Sequence, residues 1–88
     1  MNTEAKLEQK CRKLAIDAGW LSYKFESEGG LPDRIFIKDG RIIFVEFKAP
    51  KTGRLSKLQQ VQIKRMINAG AIVHVCDNVE SFLRIIEL

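Results

Sequence analysis

The chain reads as an α/β protein of element order αβββαβα, with helices packed against a mixed sheet. Three observations carry this reading. Apolar residues recur at helical spacing in three segments and cluster or alternate in four short ones. Asp39-Gly40, a two-residue hairpin signature, joins two of the short apolar runs. A helical segment then separates the run ending at Lys48 from the run ending at Cys76, which is the order of a parallel crossover and is expected to be right-handed.

Leu7, Cys11, Leu14, Ala15 and Ala18 predict a first helix over about residues 3–18, with Thr3 as its N-cap and Gly19 as its stop. Residues 20–25 read as a strand, followed by a turn through Glu28, Gly29 and Gly30 and by a strand over residues 34–38. Residues 41–48, rich in Ile, Val and Phe, follow the hairpin, so the three strands form an antiparallel meander. Pro50 and Gly53 make residues 49–54 a loop, after which Ser56 caps a helix that runs to about Ala69 and closes at Gly70. Residues 71–76 are a buried-looking strand, and Asn78 caps a last helix carrying Val79, Phe82, Leu83 and Ile86. With no linker, repeat or low-complexity tract, residues 1–88 are expected to share one core as a single domain.

Composition narrows the functional classes. A chain of 88 residues with 45% hydrophobic content builds one modest core and buries a smaller fraction of its surface than a typical domain, so association with a second copy is a natural source of stability. Fifteen Lys and Arg against eleven Asp and Glu leave a net charge of +4, a mild bias toward a polyanion or an anionic surface. Cys11 and Cys76 have no ligand spacing and lie inside apolar patterns, which suits buried free thiols in a reducing interior and excludes a disulfide framework or zinc site. No apolar run reaches membrane-spanning length, and the polar N-terminal segment has no signal-peptide core. A cytoplasmic protein without membrane contact is expected.

The chemistry concentrates at the end of the third strand. Alternation puts Ile42, Phe44, Glu46 and Lys48 on one face and Ile43, Val45 and Phe47 on the other. A carboxylate and an ammonium at the end of an apolar strand cost desolvation free energy unless something compensates them, and a metal ion would. Pairing about Asp39-Gly40 brings Asp33, of Leu31-Pro32-Asp33, roughly level with Glu46 and Lys48. Two converging carboxylates with room for water suit Mg²⁺ or Mn²⁺. The alternatives are a solvated strand end for Glu46 and Lys48, and an ordinary turn residue after proline for Asp33.

The segments Gly30-Leu31-Pro32-Asp33, Val45-Glu46-Phe47-Lys48-Ala49-Pro50 and Gly53-Arg54-Leu55-Ser56-Lys57-Leu58-Gln59, in that order around a hairpin, resemble the virus-type replication-repair nuclease (VRR-NUC) family. That family belongs to the PD-(D/E)xK nuclease superfamily, whose fold has a restriction-endonuclease-like core. Glu8, Lys24 and the strand near residues 70–75 extend the resemblance over nearly the whole chain. It implies that Asp33 and Glu46 bind Mg²⁺ or Mn²⁺ with help from the backbone carbonyl of Phe47. Glu8 would complete the shell directly or through water, with Glu4, on the same side of the helix, as its rival. Lys48 would position or activate the attacking water and offset charge on the transition state, while the ion polarises the phosphoryl oxygen.

Gln59, on the apolar side of its helix, would support Lys48 or contact DNA phosphate; a satisfied amide at the core edge is the alternative. Lys24, Lys51, Arg54 and Lys57 are candidates for the DNA backbone, with solvated surface lysines and arginines as the competing account. His74 falls in a buried strand and is expected in the core or an interface. The minimal, free-standing form of the family resembles Holliday-junction resolvases, which implies a homodimer acting on branched DNA in repair, in a bacterial or phage-infected cell. Ile63, Ile67, Ile85 and Leu88 are the surplus apolar positions expected in that interface. The expected function is thus a metal-dependent endodeoxyribonuclease; the rivals are a non-catalytic DNA-binding module and a regulatory subunit.

Overall fold

The computed structural model describes residues 2–26 and 29–87; Glu28 of the expected turn and Leu88 of the expected interface lie outside the described residues. Its elements are α1 (Thr3–Asp17), β1 (Leu21–Lys24), β2 (Arg34–Lys38), β3 (Arg41–Phe47), α2 (Lys57–Asn68), β4 (Val73–Cys76) and α3 (Val79–Glu87), the order αβββαβα. The strands form one mixed sheet in the order β1-β2-β3-β4, antiparallel through β3 and parallel between β3 and β4. Asp39 and Gly40 both have positive φ, 49° and 80°, as a two-residue turn matched to strand twist requires.

Several boundaries differ from the sequence reading, each because a backbone group has another partner. The N-cap of α1 is Asn2 rather than Thr3: the Asn2 side chain accepts the Ala5 N–H at 2.7 Å. Trp20 is excluded from β1 because its N–H closes α1 onto Ala15 and its ring turns into the core. β4 begins at Val73 rather than residue 71, since the Ala71 N–H is used on the Met66 carbonyl at the end of α2. Ser56 and Asn78 cap their helices as the sequence suggests, Ser56 in a reciprocal capping box with Gln59.

The two faces of the sheet are treated unequally. Phe36, Ile43, Val45, Phe47 and Cys76 point to one face, where Leu7, Cys11 and Ala15 of α1 and Phe82 and Ile86 of α3 close over them. Phe82 is the centre of this layer, with ring centroids 5.2 Å from Phe36 and 5.8 Å from Phe47. Both cysteines are buried and unpaired, and burial pushes the Cys11 thiol up to about 12 and Cys76 to about 11. The other face carries Leu21, Tyr23, Ile42 and Val75, all largely exposed. α2 covers it incompletely, burying Ile63 and leaving Leu58, Val61 and Ile67 exposed.

Because Phe82 is fully enclosed by aromatic and aliphatic neighbours, Phe82→Ala is expected to cost about 3–5 kcal/mol. Urea unfolding should show a lowered midpoint with an unchanged slope; a loss under about 1 kcal/mol would mean that the α3 layer is not packed as described.

Candidate functional site

The register of the sheet builds the site. β2 and β3 pair so that Arg34 faces Val45. One further step sets Asp33 opposite Glu46, which is itself opposite Val75 of β4. On the other side the Phe25 N–H donates to the Asp33 carbonyl at 2.9 Å, continuing the β1–β2 pairing past Lys24. Phe25, Asp33, Glu46 and Val75 therefore form one transverse row at the end of the sheet, on the face away from α1 and α3.

Each acidic group in this row is held by a specific donor. An Asp33 carboxylate oxygen, Oδ2, accepts the Phe47 N–H at 2.8 Å, a hydrogen bond in the plane of the sheet where a strand partner would otherwise sit. In an extended strand a residue's N–H and C=O face the same neighbour, so the Phe47 carbonyl opens toward the Asp33 side as well. Glu46 is only 2% exposed, and its Oε2 accepts the Gln59 amide at 2.8 Å and lies 3.3 Å from Lys48 Nζ. Its other oxygen, Oε1, is buried with no hydrogen-bond partner among the described residues. A buried carboxylate oxygen without a donor is costly, and the same oxygen beside a second carboxylate is a natural ligand for a hard cation.

The electrostatics agree with this geometry. Burial, then the charge of Asp33, pushes Glu46 from its ordinary 4.5 up to about 7, against the opposing effect of Lys48. Burial likewise raises Asp33; the Phe47 N–H opposes the shift, and the charges of Glu8 and Glu4 add to it. Both carboxyls thus lack enough positive charge of their own, which a divalent cation would supply.

Gln59 does two jobs. Its carbonyl oxygen accepts the Ser56 N–H at 2.9 Å, closing the capping box, and its amide nitrogen reaches Glu46. Glutamate at this position would keep the cap and set a second carboxylate against Glu46. The sequence reading gave Gln59 to Lys48 or to phosphate, with a satisfied core-edge amide as the alternative; its amide donates to Glu46, the carboxylate that also contacts Lys48.

Lys48 lies 4.0 Å from Glu4, whose side chain is partly exposed, so α1 reaches the site through Glu4. Glu8, expected in the ligand shell, is engaged elsewhere. Glu8 Oε2 is 2.8 Å from Arg34 Nε and 3.2 Å from Lys24 Nζ, on the α1 side of the sheet. Among the described residues no set of three or more His, Cys, Asp and Glu side chains is gathered closely enough to hold an ion.

The basic candidates separate in the same way. Lys24 is occupied with Glu8, whereas Arg54 lines the cleft beside the site and donates to the carbonyls of Lys51 and Gly53. Lys51 and Lys57 are exposed next to it. His74 is half-buried, and burial followed by the charge of Arg41 lowers its pKa. Of the apolar positions expected at an interface, Ile63 is buried under α2 and Ile85 packs against the core; Ile67 is exposed.

Two features were not anticipated. Arg34 is 5% exposed, and its Nη1 also donates to Ser22 at 3.2 Å. Strand alternation already put Arg34 on the core face beside Phe36, and a buried guanidinium demands a carboxylate, so the need for an acidic partner was legible although its identity was not. Phe25 of the transverse row was hidden by the loop between β1 and β2, whose length conceals the register.

The family model described as the VRR-NUC domain matches residues 2–80. The chain belongs to the VRR-NUC family. A solved structure titled "VRR_NUC domain" is similar to this VRR-NUC chain with a TM-score of 0.87 and 26% sequence identity, covering 99% of this chain and 97% of that one. No curated protein matches the sequence significantly. The nuclease-type fold of the VRR-NUC domain and its mixed four-stranded sheet are thus established, and no described helix is long and apolar enough to cross a membrane.

The raised pKa of Glu46 has a definite sign in stability. The folded VRR-NUC domain holds a proton on Glu46 that the unfolded chain releases near 4.5, so this contribution is full below pH 4.5 and is lost as pH rises to about 7. His74, lowered in the fold, contributes oppositely, losing stability as pH falls below its ordinary 6.5. The diagnostic quantity is therefore the difference between wild type and Glu46→Gln in chelator. Thermal melts should show that difference falling between pH 4.5 and 7 and level above; a flat difference would mean that Glu46 is not buried as a costly carboxylate.

Proposed function

We propose that this VRR-NUC domain is a metal-dependent endonuclease that hydrolyses DNA phosphodiester bonds, preferentially in branched DNA such as Holliday junctions, and that it works as a homodimer. The observation that carries the reading is the buried, partnerless Oε1 of Glu46, set beside Asp33 on a carboxylate whose other oxygen, Oε2, lies 3.3 Å from Lys48 Nζ. A DNA-binding surface has no use for a carboxylate desolvated in this way, whereas a cation site does.

Asp33, Glu46 and the Phe47 carbonyl would hold Mg²⁺ or Mn²⁺. Bound there, the ion would supply Lewis acidity to the phosphoryl oxygen and acidify the attacking water. Lys48, three-quarters or more enclosed and fixed between Glu46 and Glu4, orients that water and offsets charge developing on the phosphate. Gln59 fixes the Glu46 carboxylate through its amide on Oε2 and so leaves Oε1 to the ion that would bind there. With Glu8 paired to Arg34 and Lys24, Glu4, 4.0 Å from Lys48 Nζ, would be the α1 carboxylate that completes the shell, through water. Lys51, Arg54 and Lys57 meet the strand's phosphates, and a bidentate-capable Arg54 at the cleft sets its register.

Dimerisation is supported by the uncovered sheet face. Leu21, Tyr23 and Ile42 are each more than half exposed, and a face of this kind on so small a domain is the surface that a second copy would cover. A two-fold axis would offer two cutting centres to the two strands of a symmetric four-way junction.

Incubation of linear, flap and four-way DNA with Mg²⁺, Mn²⁺ or EDTA is expected to give cleavage only with metal and fastest on branched substrates. Asp33→Asn, Glu46→Gln and Lys48→Ala should each lower the rate by roughly a hundredfold or more, on the scale of losing one transition-state contact. Cleavage by Glu46→Ala in chelator would refute the metal centre, and metal-independent binding without nicking would favour a non-catalytic module. In light scattering the wild type should have twice the 10.1 kDa chain mass and Ile42→Lys the mass of one chain. A monomeric wild type at micromolar concentration removes the dimer.

A further inference from the structure

The metal centre opens into a cleft of about 610 Å³, in the range of ligand sites, roughly 300–1,000 Å³. One end of the cleft is polar, with Asp33, Lys48 and Gln59. Arg54 and Ser56 add to the polar lining, and the apolar part is made by Phe25, Leu31, Leu55 and Leu58, side chains to which a phosphodiester group has nothing to offer. Leu31 and Leu58 remain 39% and 49% exposed, so the fold itself does not cover them. The apolar parts of a DNA strand are the faces of its bases and its sugars, and base faces are available only when a nucleotide is unstacked.

Position and rigidity favour a base. Phe25 lies opposite Asp33 in the strand register, about 5 Å away backbone to backbone, within the reach of a single nucleotide. Its ring is braced by Phe44, with centroids 5.9 Å apart and planes 19° from parallel. The Leu31 and Leu58 part of the lining is fixed as well. Gly30, at φ +77°, packs so closely on the first turn of α2 that a Cβ would come within 2.9 Å of Leu58 Cγ and 3.1 Å of the Gln59 nitrogen. The loop carrying Leu31 and the helix carrying Leu58 are thereby locked together.

Resting on the nuclease reading above, we propose that this cleft is a nucleobase subsite: it takes one unstacked base next to the scissile phosphate, between Phe25 and the Leu31–Leu58 wall. Such a subsite selects DNA whose strands are already unpaired or easily parted, as at a branch point, because a base in an intact duplex must first be unstacked. It supplies a preference for structure without reading sequence, since every base has a face to stack.

The test measures binding of four-way and flap DNA with Ca²⁺ in place of Mg²⁺, each DNA carrying an abasic residue at one position near the branch. One abasic position is expected to weaken wild-type binding about tenfold, the scale of one stacked base. Phe25→Leu, which keeps apolar packing on Phe44, should weaken binding of intact DNA comparably and be indifferent to that abasic position. Leu58→Ser, at an exposed side chain, gives the same pattern without touching the core. An abasic scan without effect, absence of any DNA binding, or losses that multiply in variant and abasic DNA together overturns the subsite. Cleavage of the same junctions by wild type with Mg²⁺ is scored separately: cleavage with no abasic effect removes the subsite and keeps the nuclease, and an abasic effect without cleavage does the reverse.

Discussion

A carboxylate buried at the end of a central strand is the constraint on which the rest of this molecule depends. Glu46 is enclosed between β2 and β4 in the sheet plane and faces the first turn of α2, so water cannot solvate its charge. One oxygen is satisfied by an amide and approached by an ammonium; the other is not satisfied at all. A fold built only for stability would replace this group by an apolar one at no loss. Glu46 sits at the meeting point of three strands and a helix with one oxygen free to accept a ligand.

The same constraint explains the asymmetry of the two sheet faces. The α1 and α3 side is a conventional core of Phe36, Val45, Phe47, Phe82 and the two cysteines, and it holds the strands in a fixed register. That rigidity lets the opposite face stay open, with α2 touching it mainly through Gln59 and Ile63. The open face carries the acidic row, the cleft and the exposed apolar side chains together. The open face and the structural core are thereby separated by the thickness of one sheet, and alternation along β3 assigns each residue to one or the other.

The Glu8, Arg34 and Lys24 cluster links the halves. Arg34 and Asp33 are adjacent in sequence and point to opposite sides of the sheet, one tied to α1 and the other to Phe47. An Arg34 guanidinium held by Glu8 fixes the end of β2, and through it the orientation of Asp33. The cluster also anchors the first two turns of α1, from which Glu4 reaches Lys48. Glu8 is thus tied into the framework beside the acidic row, a placement that its helical position alone does not reveal.

Local rules were enough to determine the element order, the hairpin and the pairing of the acidic segments. Periodicity, Asp39-Gly40 and the Ser56 and Asn78 caps act within a few residues, and two-residue turn geometry carries register across to Asp33 and Glu46. The partners of long side chains escaped those rules. Glu4 and Glu8 lie one helical turn apart and share a face, so only the packing angle of α1 on the sheet decided that Glu8 meets Arg34 and Glu4 meets Lys48. Phe25 and Gln59 were decided similarly: the pairing of Phe25 with Asp33 beyond the end of β1 and the seating of α2 against Gly30 bring them to Asp33 and Glu46. Strand alternation and capping are short-range and leave their mark in adjacent residues, whereas the contacts that finish the site join segments far apart in the chain and exist only once the layers have packed.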